Sequence, residues 1–314
     1  MRVAVLDLGS NSFTLLVAEV FADGTLVQLT RERESVQLGA RISDSGHIDQ
    51  DGWRRAMVAM AGLVGQARMS GATRVLAVAT GAIRDASNGA ALLRAAGREL
   101  EVETAILSPD LSAKLAYLGV RSELPALFGR LAVIDVGGGS IEVAVGENDA
   151  SLFNCSLPLG IQHLRAAMKE DSADVVMDSV RAALAPAARA VRGFQPQRFV
   201  FASGTARAVY KLVKRRRSVG AGDGWMDRAA LHRVAGWAAQ ASSSSLEEAG
   251  VKADRLATVA ISARVLDLMA EMFDATELWI SKRGLREGVL LDELRQSPVL
   301  SPDEHTGHEA TAEL

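Results

Sequence analysis

A single cysteine, Cys155, stands among 314 residues, so an internal disulfide is excluded and a reducing compartment is expected. Its surroundings, Phe153-Asn154-Cys155-Ser156-Leu157, read as those of a small core residue rather than a nucleophile. The sequence has no run of about 18 uninterrupted apolar residues, which excludes a transmembrane helix. It also has no basic excess. A formal net charge of -3 argues against generic nucleic-acid binding, so any bound anion must be held by local groups. Asp7 and Asn11 interrupt the first apolar stretch, so no signal peptide is expected and a cytoplasmic location follows.

What the chain does have is an ordinary globular balance, with 48% hydrophobic and 23% charged residues, and enough length for two domains. Its beginning recurs near its middle. Residues 3 to 18 (VAVLDLGSNSFTLLVA) match residues 131 to 146 (LAVIDVGGGSIEVAVG), aligning Asp7 with Asp135, Gly9 with Gly137 and Ser12 with Ser140. A second echo keeps the order: LAVATGAIRDA at 76 to 86 matches FVFASGTARAV at 199 to 209. Two ordered matches imply a duplicated α/β unit.

The expected lobes are 1–124 and 125–295, the second enlarged by added helices, with 296–314 as a mobile tail. In the first lobe, β-rich runs at about 2 to 8, 13 to 20, 25 to 31, 74 to 79 and 101 to 107 alternate later with helical patterns at 51 to 70 and 88 to 98. Ser108-Pro109 marks another helix start, because serine accepts from orphan amides and proline has a pre-set φ. In the second lobe, strands are expected at 131 to 136, 140 to 146 and 150 to 157, with long helices at 171 to 192 and 253 to 273. Gly220–Gly224 and the serine run 242 to 245 read as loops. His305 and His308 read as unpaired tail histidines rather than a metal pair.

The chemistry concentrates in glycine-rich turns. Asp7-Leu8-Gly9-Ser10-Asn11-Ser12 and Asp135-Val136-Gly137-Gly138-Gly139-Ser140 each place small residues at a tight strand connection, exposing backbone amides as an anion site. An aspartate repels a phosphate unless a divalent cation lies between them, which makes Asp7 and Asp135 candidate Mg²⁺ or Mn²⁺ partners. The two loops should therefore face one cleft. Glu142, two residues beyond Ser140, could orient water or metal or simply face solvent. Thr80-Gly81 and Ser203-Gly204-Thr205 look like strand-to-helix turns that add amides and hydroxyls, with Arg84 and Arg207 one turn further on, each suited either to a phosphate or to a structural salt bridge. Arg286, after the strand at about 276 to 281, is a third arginine of this kind. Lys211, Lys214, Arg215, Arg216 and Arg217 form a dense basic cluster, either a solvated helix end or a guide for an acidic polymer.

Together DLGSNSF, TGAIRDASN, DVGGGSIEV, SLPLG, SGTAR and LREGVL, in this order from residue 7 to 290, resemble the exopolyphosphatase and guanosine-pentaphosphate phosphohydrolase family. The resemblance implies an α/β fold of two actin-like lobes in the compact two-domain form. It implies hydrolysis of the terminal phosphate of polyphosphate, or of the 5′-γ-phosphate of guanosine pentaphosphate, assisted by a divalent cation and often K⁺. It implies phosphate or metal contacts by Asp7, Gly9, Ser10, Asn11 and Ser12 in one lobe and by Asp135, Gly137, Gly138, Gly139, Ser140 and Glu142 in the other. Thr80, Arg84, Ser203, Gly204 and Thr205 join the phosphate set, and a homodimer is common among such proteins.

One departure bears on catalysis. Where the family has the glutamate regarded as activating water, this chain has Ser112, within Ser108-Pro109-Asp110-Leu111-Ser112. Serine does not accept a proton near neutral pH, and loss of a general base costs about 10²- to 10⁴-fold in rate. Asp110, about 200° around a helix from position 112, is a poor substitute. Thr258-Val259-Ala260 is a second departure, where the family has proline and glycine before the alanine; it affects packing. Three functions are therefore weighed: a phosphoanhydride hydrolase, slowed by Ser112; a weakened enzyme serving as a binder or sensor of polyphosphate or guanosine polyphosphates; and a small-molecule kinase of the same superfold.

Overall fold

The computed structural model describes residues 1–42, 46–124, 129–216 and 219–294. The expected tail with His305 and His308, the start of the second lobe at 125 and the cluster member Arg217 lie outside the described residues.

The first sheet contains β1 (Arg2–Leu8), β2 (Ser12–Val20), β3 (Leu26–Ser35), β4 (Arg74–Ala79) and β5 (Glu103–Ile106) in the order β3-β2-β1-β4-β5. The first three strands meander antiparallel, and β4 and β5 join parallel to β1. The second sheet repeats this with β6 (Arg130–Val136), β7 (Ile141–Glu147), β8 (Ala150–Leu157) and β9 (Arg198–Ala202). It then adds a hairpin of β10 (Ala221–Gly222) and β11 (Trp225–Asp227), and β12 (Glu277–Ile280) beside β9. The duplication therefore extends to register: Asp7 pairs with Thr14 as Asp135 pairs with Glu142.

Apolar side chains on both faces of the central strands require cover on both sides. Ala4, Leu6 and Leu8 pack outward with α1 (Gln50–Met69), α2 (Gly81–Asp85) and α3 (Gly89–Leu100). Ala132, Ile134 and Val136 pack outward beneath α5 (Ile161–Ala167), α6 (Ala173–Phe194), α7 (Ser203–Arg215), α8 (Arg228–Gln240), α9 (Ser243–Glu248) and α10 (Leu256–Met272). The inward residues Val3, Val5, Leu131 and Val133 share a middle core with α4 (Pro109–Arg121) and α11 (Leu285–Leu294). Although α4 follows β5 in sequence, it packs on β7 and β8 of the other sheet, and its Tyr117 hydroxyl donates to the Asn148 carbonyl at 2.7 Å. The lobes are thus clasped by exchanged helices.

Local signals act as expected at α4, where Ser108 Oγ accepts from the Leu111 amide at 3.2 Å. They act differently at the serine run. Ser242 accepts from the Ser245 amide at 3.1 Å and opens α9, so the run is a capped helix start rather than a loop. Gly220–Gly224, also expected as a loop, carries β10 and the turn into β11, with φ of 93° at Gly220 and 77° at Gly224 permitting the reversal.

Helices α4 and α11 cross with almost no side chain between them. A Cβ at Gly119 would fall on the Gly284 carbonyl oxygen, and one at Gly288 on that of Leu115. Gly119→Ala should destabilise the protein by about 1–3 kcal/mol through overpacking. Gly65→Ala, where the added carbon meets nothing within 4 Å on α1, should stabilise it by roughly 0.5–1 kcal/mol. Denaturant titration of the pair tests this, and equal effects of the same sign would refute the close crossing.

Candidate active site

Both glycine loops open into one cleft of about 510 Å³ between the sheets. They touch across it: a Cβ at Gly139 would fall on the Ser10 side chain, and one at Gly138 would lie 3.4 Å from Asn11 Cβ. The SLPLG segment leads into the amides that clamp the second loop from behind. Gly160, Ile161 and Gln162 amides donate to the carbonyls of Gly139, Gly137 and Gly138 at 3.1, 3.1 and 2.9 Å. In a trans peptide the N–H points opposite to the C=O. The amides of Gly138, Gly139 and Ser140 are therefore directed away from the clamp and toward the cavity these residues line.

The cleft floor is acidic. Asp7 accepts from Thr14 Oγ1 at 3.4 Å, and Glu142 accepts from the hydroxyls of Ser140 and, at 3.0 Å, Ser156. Burial pushes all three carboxyls up, and for Asp135 the neighbouring Glu142 and Asp7 add to it, bringing it to about 7. Arginines line the same cleft beside them. Burial, with Arg31 and Arg286 nearby, lowers Arg207 to about 10; burial likewise lowers Arg31, beside Arg286, and Arg255, beside Arg33. Acids crowd acids and arginines crowd arginines, which is the charge arrangement that a cation and a phosphate would together relieve.

The carboxylates are hard oxygen donors suited to Mg²⁺ or Mn²⁺. Among the described residues, no three acidic, thiol or imidazole groups enclose an ion by themselves. That fits an ion such as Mg²⁺, which characteristically keeps waters and takes substrate phosphates as ligands.

Asp7, Asp135, Glu142, Ser112 and every residue of the two loops expected to bind phosphate line this cleft, as do Thr80, Ser203, Gly204 and Thr205. Ser203 holds φ of 85°, a strained value for a non-glycine residue, at the start of α7. Ser112 is 1% exposed and its hydroxyl has no hydrogen-bond partner, whereas Asp110 is exposed and outside the lining.

Arg84 forms a structural ion pair, one of its two expected roles. It ion-pairs with Asp85 at 3.0 Å and is absent from the lining, although its charge acts to lower Glu142. The basic cluster also lies elsewhere. Lys214 meets Asp223 at 3.4 Å, Arg215 bonds the Gly250 carbonyl, and Arg216 stacks 3.8 Å above Trp237. These contacts belong to the end of α7, and these residues are not among those that line the cleft.

Arg31, Arg33, Arg255 and Gln162 line the cleft without having been singled out. Arg31 and Arg33 are two apart on β3, hence on one face, and that alternation was the available signal. Position is enforced by two acids, Glu287, which is buried, and Glu123, which is exposed. Glu287 accepts from Gly284 N at 2.9 Å and pairs with Arg31, joining α11 to β3. Glu123 accepts from Ser281 Oγ and the Lys282 and Arg283 amides at 2.6, 2.9 and 3.2 Å, fixing the segment that delivers Arg286.

Two lobes of one strand order, meeting through glycine loops over paired aspartates, define the actin-like class of phosphate-handling folds. The chain belongs to the Ppx/GppA phosphatase family, whose pattern matches residues 16–297. It is 28% identical over 305 residues to Exopolyphosphatase 1 of Mycobacterium bovis, covering 94% of this chain and 88% of that protein. It is 26% identical over 313 residues to a guanosine-5′-triphosphate,3′-diphosphate pyrophosphatase of Pseudoalteromonas translucida, covering 94% of this chain and 60% of the relative. In fold it is similar to the crystal structure of an exopolyphosphatase from Cytophaga hutchinsonii, with TM-score 0.81, 22% identity and coverage of 94% and 98%.

The raised Asp135 fixes a pH dependence. Its carboxyl keeps its proton in the fold up to about pH 7, but ionises near pH 4 when unfolded. Ionisation therefore costs stability progressively from about pH 4, and fully above about pH 7. In chelator-treated protein, Asp135→Asn should raise Tm by more at pH 8 than at pH 5. Equal gains at both pH values would contradict the assignment.

Proposed function

We propose that this protein hydrolyses terminal phosphoanhydride bonds of inorganic polyphosphate, with guanosine pentaphosphate as the related nucleotide substrate. The observation that carries this reading is the meeting of the two aspartate-led glycine loops in one cleft that arginines also line. The names of the relatives agree with it. A divalent cation, held by Asp7 and Asp135, would neutralise charge on the phosphates. The cytoplasmic setting, the use of K⁺ and the dimer that the family resemblance implies belong to the same proposal.

The chain's own groups account for binding and orientation. Amides of Gly138, Gly139 and Ser140, with Arg207 and Arg286, receive the terminal phosphate. A water attacks its phosphorus, a new P–O bond forms, the anhydride bond breaks, and the shortened chain leaves as an anion. Glu142, raised by burial and held by two serine hydroxyls, is the carboxylate in the lining that takes the water proton. Ser112 offers that water a hydrogen bond but no base.

The unpartnered Ser112 hydroxyl favours a second reading, in which binding outlasts catalysis and the protein acts as a polyphosphate or guanosine polyphosphate sensor. Phosphate release from long-chain polyphosphate with Mg²⁺ separates the two. The native chain should turn over slowly, Asp135→Ala should abolish turnover, and Ser112→Glu should raise kcat roughly tenfold or more with little gain in affinity. Rapid native hydrolysis, indifferent to Ser112→Ala and Ser112→Glu, would refute the role given to position 112. Binding without any turnover would select the sensor.

A further inference from the structure

The turn between β12 and α11, residues 281–284, is a meeting point for arginines from both lobes. Arg207 of α7 donates to the Ser281 carbonyl at 3.3 Å, and Arg31 of β3 to the Lys282 carbonyl at 3.5 Å. Arg286 follows in the first turn of α11. Three guanidinium groups thus converge on one segment, and like charges held together repel. Arg31 and Arg286 each act to lower Arg207, and Arg286 acts to lower Arg31.

Glu287 is the acid that acts in the opposite sense on both of the arginines so lowered. It is 4% exposed and is not among the residues that line the cleft. One of its carboxylate oxygens accepts from the Gly284 amide at 2.9 Å, the contact that a glutamate at the third position of a helix makes with the residue before the helix. The other pairs with Arg31. A cap needs an acceptor but no charge. The charge of Glu287 serves the arginines instead: it holds Arg31 of one lobe against α11 of the other, and it offsets part of the positive field that the cluster presents.

We propose that Glu287 is a positioning residue, whose carboxylate fixes the arginine cluster in the orientation that the transition state of phosphoryl transfer requires and weakens the hold of that cluster on a resting anion. The proposal deepens the hydrolase reading above and rests on it for the role of the arginines. Binding an anion equally well before and during reaction does not speed turnover, whereas arginines fixed where charge develops in the transition state lower the barrier. Removing the Glu287 charge therefore moves affinity and rate in opposite directions.

The test is Glu287→Gln, which keeps an amide oxygen for the Gly284 N–H and removes the charge. Two quantities are measured, turnover of polyphosphate with Mg²⁺ and equilibrium binding of tripolyphosphate in chelator. The variant should lose roughly tenfold in kcat while binding tripolyphosphate about threefold more tightly. Arg31→Gln/Glu287→Gln should be no slower than the slower single variant, because both residues act through one contact. Weaker binding together with slower turnover is the signature of a damaged fold and would overturn the assignment, as would an unchanged kcat. Should Glu287→Gln fail to fold, Arg31→Gln carries the test. It leaves the Glu287 charge unpaired beside Arg207, so it should bind tripolyphosphate more weakly than the double variant, and equal binding by the two would overturn the assignment. Tighter binding by Glu287→Gln, in a protein whose native form hydrolyses nothing, would uphold the hold of Glu287 over the arginines while refuting the hydrolase reading; normal native turnover with both quantities unchanged in the variant would do the opposite.

Discussion

At the glycine loops and at the α4–α11 crossing the lobes approach so closely that no added side chain fits, and the site depends on that approach. Ser10 occupies the space that a side chain at position 139 would need, and the carbonyls of Gly284 and Leu115 occupy those at 119 and 288. The α4–α11 crossing and the facing glycine loops are two ends of the same constraint. It brings Asp7 and Asp135, more than a hundred residues apart in sequence, to one floor. Glu287 and Glu123 then set the arginine-bearing segment against that floor.

Electrostatics follows from this geometry. Closing two lobes over three carboxyls raises each of them, and closing them over Arg31, Arg207 and Arg286 lowers Arg31 and Arg207. Arg207 and Arg286 offset part of the charge on Asp135, yet burial and the crowding of like charges outweigh that relief. Such crowding is costly in an empty protein and favourable when a cation and a polyanion enter together. The near-neutral net charge matters little, because the field that a phosphate meets is the local one.

Much of this was legible in the sequence. The repeat of VAVLDLGSNSF and LAVIDVGGGSI fixed two lobes and two loops, because strand–glycine–strand is a local pattern that tolerates little variation. Ser108-Pro109 marked α4 for the same reason. Long-range placement was not legible. Arg84 and Arg207 occupy equivalent positions in the repeat, yet Arg84 is drawn off by Asp85 while Arg207 faces the cleft. Arg31 and Arg33 alternate with Glu32 and Glu34 on β3, a pattern that a solvated edge strand also has. The serine run read as a loop until Ser242 was seen to cap it. The departure at Ser112 was visible only against the family pattern, and its unpartnered burial only in three dimensions.

The central claim is that both lobes act on one phosphate through one shared centre, and a double-mutant cycle tests it most directly. We would measure kcat/KM for polyphosphate hydrolysis in the native protein, Asp7→Ala, Asp135→Ala and the double variant. If the aspartates serve one cation and one phosphate, the double variant loses little more than the worse single one, because residues acting as a unit are strongly non-additive. Losses that multiply, as for independent sites, would contradict the account.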